Sequence, residues 1–301
     1  MLVKKRSEPS EIKVLEELDL RMGLAEKHRK YLFNLKKGFV GESRFDHLLE
    51  ELHMECYILN DLLLQTNNTT FQIDTLMVTA NKIYLYEIKN FEGDYYYESD
   101  KLFKFPENEI LNPIHQLQRT ETLLRQLLQQ HGSPFPIESF VVFINPNFTL
   151  YKAPVDKPIL YFSQLKKYLH TLESTSSPME KRHSSLVKKL QVLQINNSPF
   201  HQLPAYHFQD LRKGFHCAQC LSFSTIIVDR TCICNACGHR ERSADTLLRT
   251  IQAFQLLFPE EKLTTSRIYQ WFGGIVTNRR IQRSLAKNFV TVGNGKWTYY
   301  I

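Results

Sequence analysis

Residues 72–90 read QIDTLMVTANKIYLYEIKN, a run rich in the β-branched and aromatic residues that favour strands. Asparagine tolerates the positive φ of a tight turn, so Asn81 in the middle of the run predicts a hairpin that turns at Ala80 and Asn81. In that register Asp74 lies opposite Glu87. Two unpaired carboxylates that face each other across a strand pair repel, and burial strengthens the repulsion.

Strand alternation predicts two different faces for this hairpin. One face carries the polar residues Gln72, Asp74, Glu87 and Lys89, and continues toward the turn with Leu76, Val78, Ile83 and Leu85. The opposite face carries Phe71, Ile73, Met77, Tyr84, Tyr86 and Ile88. Since both faces contain apolar residues that need cover, we do not expect solvent to relieve the repulsion between the two acids.

A divalent cation between Asp74 and Glu87 would let both carboxylates ionise. Mg²⁺ or Mn²⁺ fits oxygen ligands of this kind, the backbone carbonyl of Ile88 could add a ligand, and Glu42 could bind a water or a second ion. Lys89 would then position the attacking water or neutralise charge on a phosphate. The set predicts phosphodiester hydrolysis. The alternative is an exposed Glu87–Lys89 ion pair on an edge strand.

The surrounding sequence predicts helices and strands of an α/β fold. Residues 8–35 have helical periodicity, and a second helix is predicted near residue 38, which places Glu42 in its first turn. Asn112 and Pro113 predict the start of a long helix, which Gly132 ends. The predicted strands are residues 56–64, 70–79, 82–90, 94–105, 138–146 and 158–162, and further helices begin near residues 163 and 185.

Several motifs in this order resemble the nuclease-related domain (NERD) family, a branch of the PD-(D/E)xK nuclease superfamily. They are GFVGE with Glu42, YILNDLLL, QID with Asp74, YEIKN with Glu87 and Lys89, and NPIHQLQ with Gln116. The resemblance covers about residues 5–170. It implies a mixed sheet flanked by helices, metal-dependent cleavage of nucleic acid, and catalytic roles for Glu42, Asp74, Glu87 and Lys89. Gln72 and Gln116 match further polar positions of the family.

Two other functions stay open beside the nuclease. Members of this superfamily can bind without cutting, so the second hypothesis is a non-catalytic protein that binds nucleic acid or regulates through the same scaffold. The third is a scaffold protein in a defence or repair complex. Cleavage that depends on the metal and on Asp74 would separate the first hypothesis from the second.

Five of the six cysteines lie within a short segment, which is the pattern of a local metal site. Two C-x-x-C pairs, Cys217 with Cys220 and Cys234 with Cys237, predict a structural zinc ribbon with four thiolate ligands. Cys232 could replace Cys234, and a redox pair or free thiols are the alternatives. We expect the neighbouring His216 and His239 on the surface. Cys56 is predicted to be a small buried apolar residue.

The C-terminal segment is basic and resembles a winged helix-turn-helix. From residue 240 onward ten Lys or Arg face four acids, although the whole chain has a formal net charge of only +7. Thr277 is predicted to cap a helix that buries Ile281, Leu285 and Phe289. The residues expected to face DNA are Arg279, Arg280, Arg283 and Lys287, with Lys296 on the wing. A helical protein-interaction module is the alternative, and Trp271 and Trp297 are predicted core residues.

These features predict a chain of 301 residues with several domains. The predicted fold class is α/β, a PD-(D/E)xK nuclease-like mixed sheet, with a small zinc ribbon and a winged-helix-like domain. The predicted boundaries are 1–37 (helical lead-in), 38–172 (NERD domain), 173–210 (linker with a helix), 211–241 (zinc ribbon) and 242–301 (winged-helix-like domain). No signal sequence or long apolar run is present, so we expect a cytoplasmic protein with nucleic acid, DNA above RNA, as partner and no membrane.

Overall fold

The computed structural model describes residues 1–175, 177–195 and 202–301, with the side chain of Lys296 excepted. The chain forms two compact units, which we call unit 1 (Met1–Glu8 and Phe33–His201) and unit 2 (Pro9–Leu32 and Gln202–Ile301). The predicted lead-in of residues 1–37 is therefore divided between the two units. The predicted ribbon and the C-terminal segment belong to one unit. The predicted linker, residues 173–210, falls partly outside the described residues.

Most of the first 195 residues form helices and strands. The helices of the first 195 residues are α1 (Ser10–Met22), α2 (Glu26–Glu50), α3 (Pro113–Gln130), α4 (Phe162–Ser174) and α5 (Lys181–Leu193). The strands of unit 1 are β1 (Leu2–Lys4), β2 (Tyr57–Thr66), β3 (Thr69–Val78), β4 (Ile83–Lys89), β5 (Gly93–Glu98), β6 (Lys101–Lys104), β7 (Asn108–Ile110), β8 (Ile137–Phe143), β9 (Phe148–Tyr151) and β10 (Ile159–Tyr161).

Unit 1 contains a six-stranded mixed sheet in the order β1-β2-β3-β4-β8-β10. The strands β2, β3 and β4 are antiparallel neighbours, whereas β1, β8 and β10 run parallel to their partners. One face is covered by leucines of α3 and α5, such as Leu117 and Leu190, and the other by residues of α2 and α4, such as Phe45 and Leu165. The predicted mixed sheet with flanking helices is confirmed.

The hairpin register predicted from the opening stretch is confirmed as far as Thr75 and Tyr86, and the ladder ends before the predicted pair of Asp74 with Glu87. The ladder between β3 and β4 pairs Val78 with Ile83 and continues to Thr75 and Tyr86. Thr79 closes the turn, because its N–H and its Oγ1 both donate to the carbonyl of Lys82, at 3.0 and 2.9 Å. The predicted positive φ at Asn81 is wrong, since the closing bonds of Thr79 hold the turn without left-handed backbone.

The predicted side-chain faces are wrong at the far end of β3. Phe71 and Ile73 pack in the same core as Leu76, although they stand at odd positions of the strand. Asp61 on β2 has a φ of 54°, and the ladder between β2 and β3 omits the pair of Asp61 with Asp74. Alternation is broken on β2 at the same level of the sheet, since Leu59 and Leu62, on either side of Asp61, also pack in this core.

The predicted helix of residues 8–35 is two helices. It ends at Met22 because Gly23 takes a φ of 71°, and α2 begins at Glu26 rather than near residue 38. Glu42 therefore lies inside α2 and not in a first turn. Gly41 allows this, since a Cβ at that position would stand 2.5 Å from the Cβ of Asn90. The helix approaches the end of β4 closely, which brings Glu42 to the strands.

The predicted strand of residues 94–105 is a hairpin of β5 and β6. It turns at Ser99 and Asp100, whose φ values are 51° and 61°. Together with β7 and β9, which the sequence did not predict, these strands form a second sheet in the order β7-β6-β5-β9. Helix α3 starts as predicted, because the Asn112 side chain accepts a bond of 3.0 Å from the N–H of Ile114.

Unit 2 begins, in its second segment, with a small antiparallel sheet. Its strands are β11 (Thr225–Val228), β12 (Thr231–Cys234) and β13 (Arg240–Arg242). The helices α6 (Ser243–Leu257), α7 (Thr265–Trp271) and α8 (Asn278–Asn288) follow, and β14 (Thr291–Val292) pairs with β15 (Tyr299–Tyr300). Trp271 is fully buried as predicted, whereas Trp297 is 86% exposed, so the prediction of a core role for Trp297 is wrong.

Candidate active site

Three carboxylates from different elements meet the end of β4. Asp74 lies on β3, Glu87 lies on β4, and Glu42 comes from α2. The charge of Asp74 raises the pKa of both Glu42 and Glu87, and the charge of Glu42 also raises that of Glu87. Glu87 is only 1% exposed, and β4 runs between β3 and β8. The alternative of an exposed ion pair on an edge strand is therefore excluded.

Each carboxylate uses one oxygen within the protein. Oδ2 of Asp74 accepts the N–H of Ile88 at 2.8 Å, Oε2 of Glu42 lies 2.7 Å from Arg6, and Oε1 of Glu87 lies 2.6 Å from Nζ of Lys89. In residues 1–175, 177–195 and 202–301 the second oxygen of each acid has no hydrogen-bond partner. Three carboxylate oxygens are thus left for a ligand.

The electrostatics of this cluster show a shortage of positive charge. Burial, followed by the charge of Asp74, raises the pKa of Glu42 to about 7 and that of Glu87 to about 8. Burial also raises the pKa of Asp74, although Lys89 and the Ile88 N–H oppose it. For Lys89, burial lowers the pKa but the neighbouring Glu87 and Asp74 outweigh it and raise it. A divalent cation would supply the missing charge.

Arg6 is the largest contributor to this site that the sequence did not reveal. Its side chain is only 4% exposed, and its guanidinium contacts Glu42, both oxygens of Asp46 at 2.9 and 3.2 Å, the carbonyl of Asp74 at 2.7 Å and Oγ1 of Thr75 at 3.1 Å. It lies two residues after β1, a strand of three residues that no pattern in the sequence predicts. Its only visible sign is an arginine near the start of the chain.

Gln72 and Gln116 lie at the side of this cluster. Lys89 Nζ donates to Oε1 of Gln116 at 3.1 Å, and Nε2 of Gln72 donates to Oδ1 of Asp61 at 2.8 Å. Both glutamines line one cleft of about 390 Å³, which we call the Gln116 cleft. Asp61 is a further acid near the site that the sequence did not predict, although it lies within the YILNDLLL motif.

The Ile88 backbone faces the same cluster. The N–H and C=O of a strand residue point to the same side, so the Ile88 carbonyl is directed toward β3, as its N–H is. All the residues predicted for this site belong to unit 1 and lie within α2 and β3, at the end of β4 and in the first turns of α3, namely Glu42, Gln72, Asp74, Glu87, Ile88, Lys89 and Gln116.

Comparison with known proteins shows what part of this chain is similar to. Residues 37–144 match the model of the nuclease-related domain (NERD) family. An uncharacterised Bacillus anthracis protein is 26% identical over 146 residues, which cover 45% of this chain and 66%, just under two thirds, of that relative. A solved structure of a Vibrio cholerae protein overlaps 50% of this chain and 36% of its own, at 14% identity and a TM-score of 0.28, a likeness that carries no argument.

The NERD match contains all seven of the site residues predicted in unit 1, whereas Arg6 lies outside it. A nuclease-related domain indicates a nuclease-like scaffold and suggests interaction with nucleic acid. Within the described part of the chain, every helix is too short or too polar to span a bilayer.

The four predicted cysteines of unit 2 come together. The sulfur atoms of Cys217, Cys220, Cys234 and Cys237 all lie within 4.8 Å of one another. Cys217 is 3.7 Å from Cys237, and Cys220 is 3.6 Å from Cys234. These four thiols could hold a metal ion. Among the described residues no other group of three or more His, Cys, Asp or Glu side chains brings its ligand atoms this close together, and the three carboxylates of unit 1 lie farther apart.

Other residues near the cysteines differ from their predictions in two respects. Cys232 is buried and stands outside the cysteine group, so Cys234 is the fourth member. The predicted surface position of His216 is wrong, because it is 8% exposed and its Nε2 lies 3.4 Å from Glu17. This contact belongs to α1, whose role in unit 2 the sequence did not indicate. Cys56 is buried in the core as predicted.

The basic residues of α8 are not equivalent. Arg279, Arg283 and Lys287 are exposed, while Ile281 and Leu285 are buried as predicted. Arg280 is half-buried, and its guanidinium donates to the carbonyl of Asp229 and to Oγ of Ser243. Thr277 precedes the helix but makes no side-chain cap bond, and Phe289 is half-buried. The side chain of Lys296 lies outside the described residues.

Proposed function

We propose that unit 1 is a metal-dependent nuclease that hydrolyses phosphodiester bonds of nucleic acid, with DNA favoured as substrate. The observation that carries the proposal is the cluster of three carboxylates, of which Glu87 is fully buried and each has an oxygen left over, beside the ammonium of Lys89. The match to the nuclease-related domain supports it. The sequence motif and the local chemistry thus lead to the same function.

The residues present fit a hard divalent cation such as Mg²⁺ or Mn²⁺. The donors are carboxylate oxygens of Asp74 and Glu87 with the carbonyl of Ile88, and oxygen is the ligand that these ions prefer. The raised pKa values of Glu42 and Glu87 have the direction expected of acids that lack a cation. When bound, the ion would polarise the phosphate and lower the pKa of a bound water.

The other residues would position the reactants. Lys89 lies 2.6 Å from Glu87 and 3.1 Å from Gln116, so its ammonium is held at the carboxylates, where it can orient a water or neutralise a phosphate oxygen. Glu42 would hold a water or a second ion. Arg6 fixes the orientation of Glu42, because it bonds Glu42 and Asp46 at the same time.

In unit 2 the proposal assigns a structural Zn²⁺ to the four cysteines. Tetrahedral ligation with Zn–S bonds of about 2.3 Å separates sulfurs by about 3.8 Å, close to the 3.7 and 3.6 Å of the two pairs. Backbone N–H groups of Cys237 and Ala236 lower the pKa of Cys234 to about 7, which favours the thiolate. The antiparallel strands β11, β12 and β13 would then form a zinc ribbon.

The remaining elements of unit 2 would bind the nucleic acid. The order of α6, α7 and α8 followed by the ladder of β14 and β15 is that of a winged-helix-like domain. Arg279, Arg283 and Lys287 are exposed on α8 and available for phosphates, and Lys296 is proposed for the wing. Arg280 is not assigned a phosphate of its own, because its guanidinium already donates to the Asp229 carbonyl and to Ser243.

One observation favours a protein that binds nucleic acid without cutting it. Lys89 and Arg6 already place two internal cations on the carboxylates, so the cluster is partly neutralised without a metal. In that case the acids and bases would stabilise the scaffold, and the basic groups would supply all of the binding.

Cleavage assays on the full chain separate these functions. Labelled single-stranded and duplex DNA and RNA are incubated with Mg²⁺, Mn²⁺ or Ca²⁺, for the wild type, Asp74→Ala, Lys89→Ala and Asp156→Ala as an exposed control acid. The nuclease predicts cleavage that needs the metal and is lost in the first two variants while binding persists. Binding with no cleavage under any of these conditions would instead support the binding protein.

A further inference from the structure

The Gln116 cleft reaches from the carboxylate cluster along the start of α3. Gln116 belongs to both places, since its Oε1 accepts from Lys89 at 3.1 Å and its side chain lines the cleft. At about 390 Å³ the cleft is near the lower end of the range for small-ligand sites, about 300–1,000 Å³. It therefore has room for a small group beside the reactive centre and not for a base-paired helix.

Arg119 gives this cleft a free positive charge. It stands one turn of α3 beyond Gln116, and residues three apart lie on the same side of a helix. Arg119 is exposed and, in the described ranges, forms no ion pair or hydrogen bond. Arg125 on the same helix is different, because its guanidinium pairs with Glu121. An unpaired guanidinium at a cleft is a good ligand for a phosphate.

Leu111 gives the cleft an exposed apolar edge. It is 77% exposed although it is a large apolar residue, and it lines the cleft between the end of β7 and the start of α3. Its position is fixed by the next residue, since the Asn112 side chain accepts from the Ile114 N–H at 3.0 Å and donates to the Asp100 carbonyl at 2.9 Å. Leucine in such a position can act as a wedge against a base.

The two glutamines leave one donor and one acceptor in the cleft. Gln116 uses its oxygen for Lys89, so its Nε2 is left, and Gln72 uses its nitrogen for Asp61, so its Oε1 is left. Neither of these two atoms has a partner within the part of the chain that the structure describes. A donor and an acceptor that line the same cleft can match the edge of a nucleobase.

We propose that the Gln116 cleft binds one unpaired nucleotide next to the phosphate that is cut. Arg119 takes the phosphate of this nucleotide, Leu111 contacts its base, and the glutamine amides take the base edge. The inference rests on the proposed function and extends it by a substrate class. Because a base inside a duplex is stacked and paired, the protein prefers DNA or RNA with unpaired nucleotides at the cut site over a continuous duplex.

The test compares substrates and variants on the full chain with Mg²⁺. Three labelled substrates share one sequence: a single strand, a continuous duplex and a duplex with a short unpaired gap. The wild type is expected to cut the single strand and the gapped duplex with a higher kcat/KM than the continuous duplex. Arg119→Ala is expected to raise KM several-fold with little change in kcat, and Arg125→Ala, the matched arginine of α3, is expected to behave as wild type.

Binding measurements add a readout that a purely structural role would not change. In fluorescence anisotropy, loss of one phosphate contact to a single strand lowers the slope of log Kd against log salt by about 0.7. Arg119→Ala should show this loss and Arg125→Ala should not. Leu111→Ala should weaken binding of the single strand without changing the salt slope. Val155→Ala, at another exposed apolar residue, should change neither the affinity nor the salt slope.

Two results would overturn the inference. Equal cutting of the continuous duplex and the single strand would exclude an unpaired nucleotide, and identical KM values and salt slopes for Arg119→Ala and Arg125→Ala would exclude the phosphate contact. In both cases cleavage that depends on Asp74 would still stand, so the proposed nuclease survives. If the wild type cuts nothing, the nuclease fails, and the salt slopes still decide whether Arg119 contacts a strand.

Discussion

The carboxylate site of unit 1 and the cysteine site of unit 2 both gather groups that repel one another when ionised, but they are held in different ways. The four sulfurs lie within 4.8 Å of one another, and backbone N–H groups of Cys237 and Ala236 lower the pKa of Cys234. The carboxylates come from two strands and a distant helix, and side chains such as Arg6 and Lys89 hold one oxygen of each glutamate.

This difference would give the two proposed metals different roles. A site in which four ligands of one kind close around an ion leaves no position for a substrate, so its ion can only stabilise. A site in which each acid keeps an oxygen free, beside a lysine and a cleft, leaves positions for water and phosphate. Loss of the first ion should unfold a unit, whereas loss of the second should stop a reaction in a folded protein.

The largest expected effect is loss of the cysteine site. Cys220→Ser should abolish zinc binding and unfold unit 2, because a structural zinc supplies about 10–16 kcal/mol of folding free energy. Hydrogen exchange should show lost protection in unit 2 and retained protection in the sheet of unit 1. Cys232→Ala removes a buried sulfur outside the group and should keep the zinc. If Cys220→Ser keeps both zinc and protection, the cysteines are not a structural metal site.

The second effect concerns the carboxylate site and should not involve unfolding. Asp74→Asn keeps an acceptor for the Ile88 N–H but removes a charge, so cleavage should fall about 10³-fold, about 4 kcal/mol. Because the lost carboxylate is repelled by Glu87 and Glu42, the melting temperature of the metal-free protein should not fall. Single-turnover assays and thermal melts measure the two quantities. A melting temperature that falls together with activity would make Asp74 structural.

The third effect is on stability and depends on Arg6. Arg6→Met leaves Glu42 and Asp46 without their buried partner, which should cost about 3 kcal/mol in urea unfolding. Lys5→Met, at the exposed neighbour, is the control and should change little. Addition of Glu42→Gln to Arg6→Met should recover part of the loss. No recovery would mean that Arg6 does not act through the charge of Glu42.

The fourth effect is a dependence of stability on pH. Glu42 and Glu87 have folded pKa values of about 7 and about 8, above those of unfolded glutamates, so the native state binds more protons than the unfolded state. The contribution of these two groups to the stability of the metal-free protein should therefore be fully present below about pH 4.3. It should be lost as the pH rises to about 8, by at most about 1.4 kcal/mol per pH unit and group. Other carboxylates act in the opposite sense at low pH.

Thermal melts from pH 5 to 9 test this sign. Mg²⁺ should reduce the decline between pH 6 and 8, since it favours the ionised acids, and Glu87→Gln should reduce it without metal. A decline of equal size in the wild type and in Glu87→Gln would show that Glu87 is not the group that titrates.

The smallest effects are expected on α8. Arg279→Ala and Arg283→Ala should each weaken DNA binding and lower the duplex salt slope by about 0.9. Arg280→Ala should instead lower the stability of unit 2, because Arg280 bonds the Asp229 carbonyl and Ser243. Arg242→Ala, at an exposed arginine paired with Asp245, is the control. Unchanged salt slopes for Arg279 and Arg283 would favour the protein-interaction module.

The parts of the fold that the sequence predicted are local. The hairpin of β3 and β4 was predicted because its residues alternate around one turn, and the start of α3 because Asn112 and Pro113 form a cap. The cysteine site was predicted from spacing alone, since a C-x-x-C turn brings its two sulfurs together wherever it stands. In each case the residues that decide the structure are close in the chain.

The parts that the sequence did not predict depend on distant contacts. Strand β1 has three residues and exists because β2 pairs with it, although more than fifty residues separate the two. Arg6 therefore has no local signal for its place at Glu42. Helix α2 begins at Glu26 and not near residue 38, and its Gly41 lies close to Asn90, a residue distant in the chain. The faces of β3 change at Asp74, across from the left-handed Asp61 of β2, and no local pattern reveals this irregularity.

The most direct test of the central claim is Mn²⁺ binding measured by electron paramagnetic resonance on the full chain with its cysteine site loaded with zinc. Mn²⁺ should bind the wild type and Asp156→Ala. Asp74→Asn and Glu87→Gln should lose this binding while they stay folded. Mn²⁺ binding that is equal in all four proteins, or absent from the wild type at millimolar concentration, would contradict a metal held by the carboxylates.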